Sequence, residues 1–104
     1  MINYKQALEL AESYVRIISE DKFVVRKEQT IKKPYGWIFF YQSREYLASG
    51  RFSDKLAGNA PFLIERVNNE IRVFGTAGSL RAYVAKYEAE LPATRLQMSM
   101  PEEP

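Results

Sequence analysis

The strongest constraint on the fold is one short run of large apolar residues, Trp37 to Tyr41. Pro34 and Gly36 lie just before the run, and polar residues follow it. A run of this length, rich in aromatic residues, predicts a strand rather than a helix. A strand with one face in solvent would alternate apolar and polar residues, and this one does not. We therefore expect a central strand with both faces covered.

The two faces of this strand carry different side chains, because neighbouring residues of a strand point to opposite sides. Trp37, Phe39 and Tyr41 share one face, and Ile38 and Phe40 share the other. Two helices can cover one face of a small sheet but not easily both. Three candidates remain for the second face: the segment 43–61, a second copy of the chain in a homodimer, or a partner protein. An aromatic face left uncovered would mark an interaction surface.

Composition excludes several classes of enzyme. The 104 residues suit one domain, and 46% of them are hydrophobic, which is typical of a folded globular protein. The chain contains no Cys and no His. It therefore has no disulfide, no thiol nucleophile and no Ser-His-Asp catalysis, and it lacks the commonest ligands of transition metals. We expect no catalytic residue, no cofactor and no metal site.

Charge and hydropathy narrow the range of partners. A net charge of +2 is too small by itself to favour nucleic acid. No apolar run approaches the ~20 residues that span a bilayer. Residues 1–5 also lack the basic-then-apolar order of a signal peptide. We expect a cytoplasmic protein that binds neither nucleic acid nor membrane.

Helical periodicity precedes the central strand and returns near the end of the chain. Residues 3–21 repeat apolar side chains at spacings of three and four, and Asn3 with Gln6 fits a capping box. Residues 80–91 show a similar stripe, with Ser79 as the cap and Pro92 as the stop. The stripe residues are Tyr4, Ala7, Leu8, Ala11, Tyr14, Val15 and Ile18 in the first helix and Leu80, Tyr83, Val84, Tyr87 and Leu91 in the last.

Three further strands are expected, at residues 22–31, 61–67 and 70–74. A turn over residues 32–36 joins the first of them to the central strand. Asn68 and Asn69 fit a two-residue hairpin turn between the last two strands, because Asn tolerates a positive φ.

The segment 43–61 is long for a connection inside a compact domain, and such loops are usually functional. Residues 44–47 and 54–57 could each form one helical turn. Residues 57–61, Ala-Gly-Asn-Ala-Pro, are expected to serve backbone geometry.

The order helix, four strands, helix predicts an α+β fold with a mostly antiparallel four-stranded sheet. Residues 1–91 form the single domain. Residues 92–104 show no periodicity and are expected to form a flexible tail.

One local basic cluster stands out in the first half of the chain: Arg26, Lys27, Lys32 and Lys33. Its charges either discourage an edge strand from pairing with other chains or form a patch for an acidic partner.

Four motifs occur in order: the strand Gly36–Tyr41, the turn Glu45–Gly50, the loop and strand Leu56–Ile64, and the connector Gly75–Ala77. In this order and spacing they resemble the YrhB-like family, also called immunity protein family thirty-five of bacterial polymorphic toxin systems. The resemblance covers about residues 34–88, and the motifs are specific in combination rather than singly.

This resemblance implies a small α+β protein encoded beside a secreted toxin, which it neutralises by binding. Similar proteins have also been proposed to act as chaperones. We therefore expect a bacterial, non-enzymatic immunity protein that sterically blocks a cognate protein toxin. The alternative is a chaperone-like protein that holds unfolded clients on an apolar sheet face.

Five candidate partner-binding residues lie in the long segment: Tyr46, Arg51, Phe52, Asp54 and Lys55. They combine aromatic and charged groups, as interface hot spots do. The alternative is that the apolar residues of the segment, Tyr46, Leu47, Phe52 and Leu56, pin it to the core. Two weaker hypotheses are an acid–base pair of Glu45 and Asp54 and a phosphate contact at Gly75–Gly78.

Overall fold

The computed structural model describes residues 1–55 and 60–102. Its helices are α1 (Tyr4–Ser19), α2 (Arg44–Ser49), α3 (Leu80–Glu90) and α4 (Ala93–Leu96). Its strands are β1 (Phe23–Val25), β2 (Ile31–Lys33), β3 (Gly36–Phe39), β4 (Tyr41–Ser43), β5 (Phe62–Glu65) and β6 (Ile71–Val73). They form a two-stranded sheet, β1-β4, and a four-stranded antiparallel sheet in the order β2-β3-β5-β6. The predicted α+β fold is confirmed. Within the described ranges, no helix is long and apolar enough to cross a membrane.

Helix α1 begins as predicted, because the capping box at its start forms. The Asn3 side chain accepts a hydrogen bond from the Gln6 backbone N–H at 2.9 Å, and the Gln6 side chain accepts one from the Asn3 N–H at 3.0 Å. The helix ends at Ser19, short of the predicted end at Asp21. There the chain turns through Glu20 and Asp21, which have φ angles of 52° and 65°.

The predicted first strand, residues 22–31, is wrong in its extent. β1 ends at Val25, a 3₁₀ helix covers the polar residues Lys27–Gln29, and β2 begins only at Ile31. The two strands belong to different sheets, because β1 pairs with β4 and β2 pairs with β3. Lys32 and Lys33 are part of β2, so the turn into β3 is shorter than predicted.

The predicted central strand is divided at Phe40. β3 pairs with β2 and β5, whereas β4 leaves the larger sheet and pairs with β1. The predicted assignment of faces is nevertheless confirmed. Trp37, Phe39 and Tyr41 belong to one apolar cluster, and Ile38 with Phe40 belongs to a second cluster on the other side.

Each face of the four-stranded sheet is covered by its own helix. α1 packs on the Trp37 side through Ala7 and Ala11, which are both 0% exposed. α3 packs on the Ile38 side through Val84. The expectation that the two helices would share one face is therefore wrong. They lie on opposite sides, and the strand needs neither the long segment nor a second chain to cover it.

The β5–β6 hairpin forms as predicted, but its turn is longer. The Glu65 N–H donates to the Glu70 carbonyl at 2.9 Å, so residues 66–69 make the loop instead of Asn68 and Asn69 alone. The next N–H, of Arg66, donates to the Tyr35 carbonyl at 2.9 Å, on the β3 side of the strand. Asn69 has a φ of 63°, which confirms the predicted positive φ there.

Helix α3 confirms the predicted helix near the end of the chain. The Ser79 side chain caps it by accepting a hydrogen bond from the Ala82 N–H at 3.1 Å. Its predicted apolar stripe packs against the sheet in the second cluster.

The end of the chain differs from the expected flexible tail, because residues 93–102 are folded onto the domain. They begin with helix α4, and Pro101 is buried. The Arg66 guanidinium donates to the Ser99 carbonyl at 2.6 Å, and the Lys32 ammonium donates to the Pro101 carbonyl at 3.4 Å. These polar contacts leave no periodic signal in the sequence. The domain boundary at residue 91 stays a prediction.

Gly36 lies where β3 and β5 approach too closely for a side chain. A Cβ atom placed there would lie 2.2 Å from the backbone oxygen of Ile64. We expect Gly36→Ala to lower the free energy of unfolding by about 3 kcal/mol, because the strands would have to separate. Urea unfolding measures this loss.

Gly78→Ala is the matched control. Its added Cβ would lie 3.6 Å from the Tyr83 side chain, an ordinary contact. This variant should stay within about 0.5 kcal/mol of the parent protein. Equal stability of the two alanine variants would contradict the close approach at Gly36.

Candidate partner-binding site

Helix α2 and the 3₁₀ helix Phe52–Asp54 form one projection, residues 44–55, which we call the Phe52 projection. The Ser43 side chain caps α2 by accepting a hydrogen bond from the Tyr46 N–H at 3.3 Å. The predicted helical turn at 44–47 is confirmed and extends to Ser49. Gly50 ends the helix with a φ of 71°, a conformation that favours glycine.

The second predicted helical turn, residues 54–57, is only partly described. The 3₁₀ helix begins at Phe52, before the predicted start, and ends at Asp54. Residues 56–59, which include most of the predicted 57–61 loop, lie outside the described residues.

Asp54 closes the Phe52 projection on itself. Its Oδ2 atom accepts hydrogen bonds from the Ser49 hydroxyl at 2.6 Å and from Arg51 Nε at 3.1 Å. The Ser49 oxygen in turn accepts one from the Arg51 backbone N–H at 3.1 Å. The Ser49 hydrogen bond, followed by that of Arg51, holds the pKa of the Asp54 carboxyl below its usual value. The bend between the two helical pieces is thus fixed by charge-assisted hydrogen bonds.

Phe52 stands at the tip of the projection with 85% of its surface exposed. The Lys55 ammonium lies 5.8 Å from the centre of the Tyr46 ring and 6.0 Å from that of Phe52. This arrangement suits cation–π attraction to both rings. The structure therefore brings all five predicted residues into one surface. Tyr46 is half-buried at its base, but Phe52 does not pin the segment to the core.

A cavity of about 370 Å³ lies at the base of the projection. Tyr46 and Lys55 line it on one side, and Arg26, Gln29 and Tyr41 line it on the other. Burial raises the pKa of the Tyr41 hydroxyl. The projection is therefore backed by a concave surface that could accept a partner's side chain.

Residues of the predicted basic cluster form ion pairs with different carboxylates. The Arg26 guanidinium pairs with Glu28, and the Lys33 ammonium lies 3.6 Å from the Glu88 carboxylate. Two of the four cations in the cluster are therefore already paired with carboxylates.

The geometry does not support the acid–base pair of Glu45 and Asp54 or the phosphate contact at Gly75–Gly78. Asp54 is committed to Ser49 and Arg51, and its lowered pKa is opposite to what a general acid needs. Gly75 lies against the Tyr83 ring, where an added Cβ would come within 2.4 Å of the hydroxyl. Among residues 1–55 and 60–102, no cluster of three potential metal ligands occurs.

One buried carboxylate escaped the sequence analysis. Glu65 is 1% exposed, and its two oxygens accept hydrogen bonds from the Tyr87 hydroxyl and the Arg95 guanidinium. Burial and the neighbouring Glu65 raise the pKa of Tyr87 above its usual range. Since Arg95 belongs to α4, this ion pair ties the end of the chain to β5. No motif signals it, because the partners lie far apart in sequence.

Comparison with known proteins places these features in a family context. The sequence profile of a family described as Immunity protein 35 matches residues 5–90. The chain is 45% identical over 53 residues to the uncharacterized protein YrhB of Escherichia coli strain K12, and the alignment covers 51% of this chain and 56% of that relative. The chain thus spans little more than half the length of this relative. No solved structure gives a significant match. The predicted resemblance to the YrhB-like family is confirmed.

Arg95→Ala tests the buried ion pair. The Glu65 side chain is 2% exposed, and removing one partner of a buried pair typically costs about 3–5 kcal/mol. We expect a loss of about 3 kcal/mol in urea unfolding, with faster amide exchange in residues 93–96. Arg81→Ala, at an exposed position of α3, is the control. Unchanged exchange in Arg95→Ala would show that another contact holds α4.

Ser49→Ala should raise the pKa of the Asp54 carboxyl towards its usual value, because it removes the largest cause of the shift. The direction of the Asp54 pKa shift also determines how its contribution to stability depends on pH. A lowered folded-state pKa contributes stability above the unfolded pKa, and that contribution is lost as the pH falls through the folded value. Carboxyl NMR titration measures the shift. Ser53→Ala, in the exposed 3₁₀ helix, should leave it unchanged, and an identical titration in both variants would refute the Ser49 contact.

Proposed function

The chain belongs to the Immunity protein 35 family, and on this premise we propose that it binds a cognate bacterial toxin and blocks it sterically. In this proposal the protein is not an enzyme, and it acts in the cytoplasm of the cell that makes the toxin. Inhibition then requires a surface that covers the toxin's active site or substrate groove.

The exposed ring of Phe52 is the observation that carries this proposal. The ring is 85% exposed and shares one surface with Tyr46 and Lys55, and apolar side chains grouped in this way can mark an interaction site. Aromatic residues are enriched in the buried cores of protein interfaces. The ring is also mounted on a bend that Asp54 holds in place. Since the bend is already ordered, little conformational entropy would be lost on binding.

The neighbours of Phe52 indicate the chemistry of the proposed partner surface. An apolar pocket on the toxin would receive the ring, and carboxylates around the pocket would face Arg51 and Lys55. Arg51 suits this role because its side chain is 72% exposed even while it contacts Asp54. Such charge complementarity mainly speeds association.

The expected size and strength follow from the biology of immunity. A stable inhibitory contact buries about 800 Å² per partner. Protection of the producing cell calls for nanomolar affinity, which corresponds to about −12 kcal/mol. The Phe52 projection would supply the centre of such a contact and the surrounding surface its rim.

The chaperone-like alternative required an uncovered apolar sheet face. Trp37 and Ile38 belong to opposite faces of β3, and both are 0% exposed. Trp37 lies beneath α1 and Ile38 beneath α3. Among the described residues, no feature favours this second function over the first.

Affinity purification of the tagged chain from its own bacterium tests the proposal, followed by calorimetry on the main bound protein. We expect one stoichiometric partner with a toxic domain, held at nanomolar strength. Recovery of many weakly bound, denatured proteins instead would overturn the immunity function and support the chaperone alternative.

Phe52→Ala should weaken toxin binding at least about 30-fold, the loss typical of an interface hot spot. Because the ring is exposed, stability should change by less than about 0.5 kcal/mol. Ile17→Ala on α1 is the control, since Ile17 is also strongly exposed at 77% but lies outside the projection. Calorimetry and protection of cells that express the toxin measure the effect. Equal binding by both variants would place the interface elsewhere.

A further inference from the structure

A second concave site lies at the N-terminal end of α1. It is a cavity of about 540 Å³, which we call the Trp37 cavity, and it shares no lining residue with the Phe52 projection. Its lining includes Ile2, Tyr4, Lys5, Trp37, Arg66 and Glu102.

Two of these lining residues carry N–H groups without an acceptor. Trp37 is 0% exposed, and its indole Nε1–H has no hydrogen-bond partner among the described residues. The Nε–H of Arg66 is likewise buried and unpartnered there, although its Nη1 donates to the Pro34 and Ser99 carbonyls at 3.0 and 2.6 Å. Buried donors without an acceptor are rare in folded proteins and call for an explanation. Both are donors, so what is missing is an acceptor.

The charge around the cavity also favours an anion. The first turn of α1 contains no acidic residue and carries Lys5 instead, so the partial positive charge of the helix start is not neutralised locally. The capping box uses the N–H groups of Asn3 and Gln6. Those of Tyr4 and Lys5 have no acceptor inside the helix. Lys5 and Arg66 outweigh the one carboxylate of the lining, Glu102.

We propose that the Trp37 cavity binds a carboxylate carried on an apolar body. Its oxygens would accept from the indole of Trp37, Arg66 Nε and the start of α1, with Lys5 supplying the countercharge. The apolar body would pack on Ile2 and Tyr4. The cavity leaves room beside an anion for an apolar body, and Ile2 and Tyr4 provide apolar lining for it. This site does not depend on the proposed toxin binding.

The single Trp of the chain offers a direct probe, because the ¹⁵N-labelled protein gives one indole N–H signal. Hexanoate and benzoate are titrated at constant ionic strength, with hexanol as the neutral analogue and inorganic phosphate as the competing anion. We expect a saturable downfield indole shift with both acids and none with hexanol. No saturable shift with either acid overturns the site. Stronger saturation by phosphate overturns the choice of a carboxylate on an apolar body.

Two charge variants locate the bound anion. Lys5→Ala should weaken hexanoate binding by about two- to fivefold, and Glu102→Gln should strengthen it by a similar factor, because a like charge is removed. Lys22→Ala, an exposed lysine beyond the other end of α1, is the control and should leave binding unchanged. Equal weakening in the Lys5 and Lys22 variants would indicate a general effect of net charge and overturn the proposed position.

Discussion

Strand β3 is buried on both faces, and the layout of the molecule depends on covering it. Trp37, Ile38 and Phe39 are all 0% exposed. Burying each side chain of this size is worth about 2 kcal/mol, but only while both layers are in place. α1 supplies one layer and α3 the other. Because these helices lie near opposite ends of the chain, the core closes only when both ends have docked.

The same two-sided burial explains why the residues that follow α3 pack against the domain. Glu65 lies directly opposite Gly36 in the β3–β5 pairing and is buried with the strands around it. A carboxylate in such a place is unfavourable unless it is paired and hydrogen-bonded. Tyr87 provides a hydroxyl from α3, and Arg95 provides the cation from α4. The end of the chain is thus held by an electrostatic requirement of the core rather than by an apolar stripe of its own.

This difference decides what could be predicted from the sequence. The α1 capping box, the positive φ of Asn69 and the stripe of α3 are encoded within a few residues, and they were predicted. The break at Phe40 and the folding of residues 93–102 depend on distant partners, and they were not. The candidate site divides in the same way. Its candidate residues follow from composition and stay a prediction, whereas neither the Asp54 hydrogen bonds nor the Trp37 cavity has a signature in one stretch of sequence.

The position of the Phe52 projection on this core bears on what it can recognise. Ser43 is both the last residue of β4 and the cap of α2, so the projection starts directly from a paired strand. β4 is fixed in turn by β1, whose Phe23 stacks on Tyr41 with ring centres 5.6 Å apart. A surface that accepts many clients needs adaptable apolar side chains. The backbone that carries the Phe52 ring is held by the Asp54 hydrogen bonds, and such an ordered bend suits the single partner proposed above better than many clients.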